Sequence, residues 1–172
     1  MSSLSDAAEP HPVVNIDELE LEQHARGCRY EASMGAIGAR IGARMLGCRW
    51  VVLPPGKRAW PYHWHYANEE LFFVMYGTGT LRCGAREYPL RAGDVVAAPP
   101  GEAHAHQIIN TSGDELRYLA VSTMLEPEIV EYPDSGKLCL FAGAAPGGDK
   151  ERRTLALCLP RGEAVDYWDG EE

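Results

Sequence analysis

The sequence lacks a basic excess and a long apolar run, and each absence excludes a class of partner. Sixteen Lys and Arg stand against 25 Asp and Glu, which gives a formal charge of −9 at pH 7. A nucleic-acid-binding surface needs clustered cations to neutralise phosphates, so nucleic acid is not an expected partner. An anionic membrane surface is excluded for the same reason. No apolar run approaches the roughly 18 residues that a membrane-spanning helix needs.

Cysteines are present, but not in the spacing of a thiolate metal site. The chain has five, an odd number, and none of them forms a CxxC pair. A disulfide framework and a cysteine zinc site are therefore not expected. The opening residues MSSLSDAAEPHP lack the basic and apolar regions of a secretory signal peptide. We therefore expect free thiols and a cytoplasmic protein.

Glycine and proline are frequent, with 18 and 12 residues. They favour short strands joined by tight turns, and the stretch 48–123 has this pattern, with a turn about every ten residues. The sequence thus predicts an all-β fold, an antiparallel barrel or sandwich. Residues 1–45 are expected to be an N-terminal arm (mobile over 1–12) and an entering segment, and residues 46–125 the barrel. Residues 126–172 should be a C-terminal extension that packs on the barrel or on a partner subunit. This extension is acidic and turn-rich over 126–137, and two short strands are expected after that stretch.

Two HxH pairs carry the strongest chemical signal in the sequence. His63 and His65 are two residues apart, so on a strand both imidazoles point to one face and can grip one ion. The next four residues can turn the chain, which lets Glu70 begin a new strand facing the same ion. His104 and His106 form a second pair with the same spacing. One of them would complete a site of three histidines and one glutamate, which suits Mn, Fe, Co, Ni or Zn.

The segment Gly56–Gly77 resembles the first sequence motif of the cupin superfamily. That motif runs glycine, a spacer, HxH, four residues, glutamate, six residues and glycine, and it is matched here by His63, His65 and Glu70 between the two glycines. The one departure is an extra residue before His63. The segment Gly93–Asn110 resembles the second motif up to its Pro-x-Gly. The resemblance implies a double-stranded β-helix, or jelly-roll barrel, with short N- and C-terminal extensions and a metal inside its mouth.

The end of the second motif leaves the fourth ligand open between two histidines. Counting forward from Gly101 indicates His104, whereas counting back from Asn110 indicates His106. Strand register is fixed more firmly than loop length, because a one-residue slip flips every side chain of a strand. We therefore prefer His106 as the ligand. His104 would then lie at the cavity mouth as an acid or base.

Three functions remain open, because the cupin resemblance does not imply one reaction. The first is a metal-dependent enzyme on a small polar molecule such as a sugar or sugar phosphate, isomerase-like. The second is an iron-dependent dioxygenase, and the third is a small-molecule-binding module without turnover. Alternation from Glu70 would place Phe72, Val74 and Tyr76 along the pocket, with the Tyr76 hydroxyl as a further catalytic group.

The opposite face of the same strand predicts a homodimer. Leu71, Phe73 and Met75 alternate with the inward residues, so they should point away from the pocket. An apolar face of this kind needs cover, which a second copy of the chain would supply.

Overall fold

Residues 11–171 are described by the structure, a computed structural model, and strands dominate them. Their helical residues form only short 3-10 turns, at Ile16–Glu18, Glu102–His104, Pro133–Ser135, Lys150–Arg152 and Arg161–Glu163. The strands are β1 (Glu22–Arg26), β2 (Tyr30–Ala36), β3 (Leu46–Leu53), β4 (Trp64–His65), β5 (Glu70–Tyr76), β6 (Thr78–Cys83), β7 (Arg86–Arg91), β8 (Val95–Ala98), β9 (His106–Ile109), β10 (Leu116–Thr123), β11 (Glu128–Tyr132), β12 (Lys137–Ala142) and β13 (Leu155–Pro160).

The strands form three antiparallel sheets. The largest has the order β1-β2-β3-β10-β5-β8, the second β13-β12-β11-β4 and the third β7-β6-β9. Strands distant in sequence are neighbours in space, such as β3 with β10 and β4 with β11. The prediction of an all-β fold is confirmed, and the architecture is a double-stranded β-helix.

The core lies along β3, β5 and β10, where alternate residues face inward. Val51, Leu53, Phe72, Val74 and Tyr118 are at most 2% exposed. Val51 pairs with Tyr118 across the β3–β10 register, and Val74 pairs with Tyr118 across the β10–β5 register. These three strands therefore form one continuous apolar layer behind the candidate ligands, which keeps the strand carrying Glu70 in register.

The inward alternation of β5 ends before Tyr76, which corrects the sequence prediction for that residue. Phe72 and Val74 are buried as expected, but Tyr76 is 55% exposed. The β5–β10 register shifts between Arg117 and Tyr118, opposite the end of β5. This irregularity turns the last residue of the strand outward, with the Arg117 guanidinium 5.3 Å from the Tyr76 ring centre.

The N-terminal residues of the described chain join the largest sheet. Residues Ile16–Glu18 form a 3-10 turn, and β2 pairs with β3. Leu19 and Ile37 pack with Trp50 in a second apolar cluster. Regular sheet structure thus begins before residue 46. The predicted mobile arm, residues 1–12, lies outside the described residues over 1–10.

The C-terminal extension forms three strands and one unexpected crosslink. Its two predicted strands are β12 and β13, but the segment predicted as turn-rich contains β11, which pairs with β4. Cys139 and Cys158 lie opposite each other in the β12–β13 pair and form a disulfide bond. The expectation that all thiols are free is therefore wrong, because the fold brings two cysteines together that are 19 residues apart. Among residues 11–171, no helix is long and apolar enough to cross a membrane.

Candidate metal centre

Three neighbouring chain segments bring the candidate ligands together. His63 immediately precedes β4, His65 ends it, and Glu70 begins β5 after a short turn. His106 begins β9, and its backbone pairs directly with that of His63. Because each residue lies at a strand end held by backbone hydrogen bonds, the four side chains meet at one end of the barrel.

The three imidazoles converge on one carboxylate oxygen. The distances from Glu70 Oε2 to Nε2 are 2.9 Å for His106, 3.4 Å for His65 and 3.6 Å for His63. Two atoms about 2.1 Å from one ion, at an angle of about 90–109°, are separated by about 3.0–3.4 Å. The ligand atoms of His63, Glu70 and His106 all lie within 4.8 Å of one another, and His65 is not part of this set.

Hydrogen bonds at the far side of two rings leave lone pairs facing the centre. The Nδ1–H of His63 donates to the Pro61 carbonyl at 2.8 Å, and that of His106 donates to the His104 carbonyl at 3.1 Å. A neutral imidazole that donates through Nδ1 has an acceptor at Nε2. His106 Nε2 and Glu70 Oε2 are both buried and have no hydrogen-bond partner. Acceptors crowded together in this way are stabilised by a cation between them, so the donor set fits a divalent metal ion.

The electrostatics of the centre favour a negatively charged Glu70 carboxylate, which can bind a cation. Burial raises the pKa of Glu70, but the contacts with His106, His63 and His65 outweigh it and hold that pKa well below its usual range. Burial lowers the pKa of His63. His65 lies between two carboxylates, Glu128 and Glu70, which overcome its burial and raise its pKa to about 9.

The comparisons with known proteins agree with this geometry. A family model described as the cupin domain matches residues 49–122, which include all four candidate ligands. The segment 49–122 is therefore similar to the cupin domain. A curated relative, an oxalate-binding protein of Thermotoga maritima, is 34% identical over 87 residues. That match covers 51% of this chain and 64% of the relative's own length.

Two solved structures extend the likeness beyond the matched segment. A protein of Acidithiobacillus ferrooxidans, provisionally assigned as a sugar phosphate isomerase, has 25% sequence identity and a TM-score of 0.73. The match covers 88% of this chain and 91% of the neighbour's chain. A Thermotoga maritima protein predicted to be an oxalate decarboxylase has 28% identity and a TM-score of 0.57, and the match covers 66% of this chain and 99% of the neighbour's chain.

The surroundings of the candidate metal centre are aromatic on two sides. The Phe72 ring lies 5.3 Å from the His106 ring, and the Tyr132 ring stacks on His63 at 5.8 Å. A small cavity beside the centre is lined by residues that include both of these histidines, Phe72 and Tyr118. Tyr132, which no sequence signal singles out, comes from β11 and approaches the centre only through the pairing of β11 with β4.

The two residues predicted as catalytic lie in different places. His104 ends the 3-10 turn Glu102–His104, directly before β9, and is only partly buried. The predicted extended segment from His104 to His106 is therefore replaced by a turn, and the His104 backbone carbonyl contacts the His106 ring. Tyr76 ends β5, six residues from Glu70, so the structure does not bring its ring to the centre.

Sequence reasoning missed Glu128, which contacts the centre from β11. Its Oε2 lies 3.8 Å from Nδ1 of His65, and both side chains are almost entirely buried. Residue 128 lies outside the matched cupin segment, within a stretch whose carboxylates and proline indicate an exposed turn. The two consecutive β-branched residues directly after Glu128, Ile129 and Val130, were the one available signal of a strand.

Proposed function

We propose that this protein is a metal-dependent enzyme that acts on a small polar molecule, a sugar or sugar phosphate, and that His63, His65, Glu70 and His106 hold the ion. The observation that carries the proposal is the convergence of three imidazole Nε2 atoms on one Glu70 oxygen at 2.9–3.6 Å. A bound divalent ion would supply Lewis acidity that polarises a carbonyl or hydroxyl oxygen of the substrate.

The substrate class is supported by a relative and by one cation near the centre. The Acidithiobacillus ferrooxidans protein, similar over 88% of this chain, is provisionally assigned as a sugar phosphate isomerase. Nη1 of Arg58 lies 3.4 Å from Oε1 of Gln107, and Gln107 lines the cavity beside the centre. Arg49 and Lys57 are engaged elsewhere, with the Gly147 carbonyl and with Glu31. Arg58 is thus the cation best placed to meet a substrate phosphate.

Isomerisation of a sugar needs a group that moves a proton between adjacent carbons. We propose two titratable side chains for this task, His104 and Tyr132. His104 lies beside the candidate ligand His106, and the Tyr132 ring stacks on His63. The proton leaves the carbon next to the carbonyl, is held by the side chain, and returns to the former carbonyl carbon. The hydroxyl proton on the first carbon's oxygen passes to the former carbonyl oxygen, so that one becomes the new carbonyl and the other the new hydroxyl. Tyr76 is not included, because it lies at the far, exposed end of β5.

We expect about one first-row transition metal per chain, together with exchange of a substrate hydrogen for solvent deuterium. Elemental analysis after purification without added metal gives the stoichiometry. Incubation of the metal-loaded protein with aldoses, ketoses and their phosphates in D₂O, followed by proton NMR, detects isomers deuterated next to the carbonyl. Glu70→Ala should lose both the metal and the exchange, because it removes the oxygen on which the histidines converge.

The same experiment can contradict the proposal in two ways. A protein that binds none of Mn, Fe, Co, Ni or Zn would remove the metal centre itself. Full metal loading without conversion of any sugar would remove the isomerase and leave the centre intact. Uptake of oxygen by an iron-loaded protein would instead assign the dioxygenase reaction.

Binding of a small dicarboxylate without turnover is the second candidate function. The curated relative at 34% identity is an oxalate-binding protein. Two carboxylate oxygens on adjacent carbons can occupy two neighbouring positions at one divalent ion. Calorimetry with oxalate would support this candidate if binding is saturable, depends on added metal, and leaves the oxalate unchanged.

A homodimer is part of the proposal, because apolar side chains of β5 and β8 remain exposed. Leu71 and Met75 are each 40% exposed and Val95 is 61% exposed. Light scattering should give about twice the 18.9 kDa of one chain. Met75→Arg should shift the protein towards the monomer, since it places a charge in the buried face of the dimer. Tyr88→Arg, a matched change on the exposed side of β7, should remain dimeric; a monomeric wild-type mass would refute this part of the proposal.

That the protein is cytoplasmic remains a prediction. Cys28, Cys48 and Cys83 are free, which favours a reducing environment. The Cys139–Cys158 disulfide favours an oxidising one.

A further inference from the structure

Glu128 is a buried carboxylate that the cupin motifs do not include. It is 1% exposed and lies on β11, beyond the matched segment 49–122. A buried carboxylate is strongly destabilising unless it is hydrogen-bonded or paired with a charge. Its partners therefore indicate why the fold retains it.

The first set of partners is the turn that separates two of the candidate ligands. Glu128 accepts hydrogen bonds from the backbone N–H groups of Tyr66 at 3.1 Å, Ala67 at 3.3 Å and Asn68 at 2.9 Å. The Asn68 side-chain amide and the Ile129 N–H also donate to it. Successive backbone N–H groups that converge in this way form an anion-binding nest. The carboxylate thereby fixes the path of the chain between His65 and Glu70.

The second partner is the His65 ring. Glu128 Oε2 lies 3.8 Å from His65 Nδ1, and the two side chains are 0% and 6% exposed. This separation is that of an ion pair rather than of a hydrogen bond. With so little solvent, the charge still acts strongly on the ring. It favours a proton on Nδ1, which leaves Nε2 as the atom that faces Glu70 at 3.4 Å.

We propose that Glu128 is a positioning residue for the metal centre: it selects the Nε2-coordinating form of His65 and holds the turn between His65 and Glu70. The inference rests on the proposed metal function. It assigns part of the centre to the C-terminal extension, so that β11 completes a site whose ligands all lie within the cupin segment.

The contacts of Glu128 are those of a carboxylate, because both of its oxygens face N–H donors. Replacing Glu128 with Gln keeps the length of the side chain and removes the charge. The Gln amide also places an NH₂ group against the donors of the turn, so the effect on the ring must be separated from the effect on the turn.

The test compares metal affinity in Glu128→Gln with a matched variant. Zn²⁺ affinity is measured by competition with a chromophoric chelator, and the visible absorption of bound Co²⁺ reports the ligand set. We expect Glu128→Gln to weaken binding by about 10- to 100-fold, the usual effect of removing a group that orients a ligand. Glu131→Gln is the control. Glu131 is also buried on β11, but it contacts the Tyr66 hydroxyl at 3.2 Å and Arg161. The Zn²⁺ affinity of Glu131→Gln should therefore stay within about twofold of wild type.

A double-mutant cycle separates the effect on His65 from a general effect on the turn. If Glu128 acts through the ring, Glu128→Gln should have a much smaller effect in the His65→Ala background. Wild-type affinity in Glu128→Gln would overturn the inference, and an equal loss in both backgrounds would overturn the selection of the His65 form. Either result would leave the proposed metal function in place. Absence of metal binding by the wild type would instead overturn the proposed function. If Glu128→Gln does not fold, Glu128→Asp keeps the charge but withdraws it from the ring, and an unchanged affinity and Co²⁺ spectrum in that variant would also refute the inference.

Discussion

His106→Ala is expected to lower Zn²⁺ affinity by more than about 100-fold, above the range for residues that only orient a ligand. The reason is that His106 Nε2 makes the shortest contact with Glu70, at 2.9 Å, and has no hydrogen-bond partner. Chelator competition or calorimetry on the metal-free variant measures the change.

His104→Ala is the matched control, since His104 is two residues away and contacts the centre only through its backbone. Its carbonyl accepts the His106 Nδ1–H, and an alanine carbonyl can do the same. Metal affinity should therefore stay within about twofold of wild type, while turnover falls if His104 moves the substrate proton. Loss of the metal in His104→Ala but not in His106→Ala would contradict this assignment. The fourth ligand would then be His104, the histidine obtained by counting forward from the Pro-x-Gly turn.

The second large effect concerns stability: Phe72→Ala should lower the free energy of unfolding by about 3–5 kcal/mol. Phe72 is 2% exposed, and its ring contacts those of Tyr118 and His106. Truncation would leave a cavity directly behind the metal ligands. Urea unfolding of the metal-free protein measures the loss without a contribution from bound metal.

Leu71→Ala provides the comparison on the neighbouring residue of β5. Leu71 is 40% exposed and points to the opposite face of the strand. Its truncation should cost less than about 1 kcal/mol at a protein concentration where the chain is monomeric. Equal losses for the two variants would contradict the inward–outward alternation on which the position of Glu70 depends.

The grouping of the candidate ligands could be predicted from the sequence because their geometry is mostly local. His63 and His65 share a strand face, and the turn to Glu70 is short, so spacing alone brings three side chains together. The choice of His106 follows from strand register, which the pairing of β9 with β6 fixes. The fold class follows in the same way from regular turns between short apolar runs.

The missed features all depend on partners far along the chain. Glu128 is surrounded by charged residues and proline in sequence, and only its pairing with residues about 60 positions earlier makes it a buried strand residue. The Cys139–Cys158 pair requires the exact register of β12 and β13 across an irregular connection. Tyr76 departs from alternation because of an irregularity in a neighbouring strand, which the sequence of β5 does not contain.

The dependence of the centre on β11 has a consequence for the order of folding. The backbone N–H groups of residues 66–68 bind the Glu128 carboxylate only after β11 has packed beside β4. These two strands are some 60 residues apart in the chain. Closing a connection of this length is slow compared with forming the β6–β7 hairpin, so the complete site belongs to the late stages of folding. An ion that binds only the finished site stabilises the native state by mass action, and interactions formed late retard unfolding more than they accelerate folding. Metal availability would then govern how long each folded molecule lasts, separately from any reaction that it catalyses.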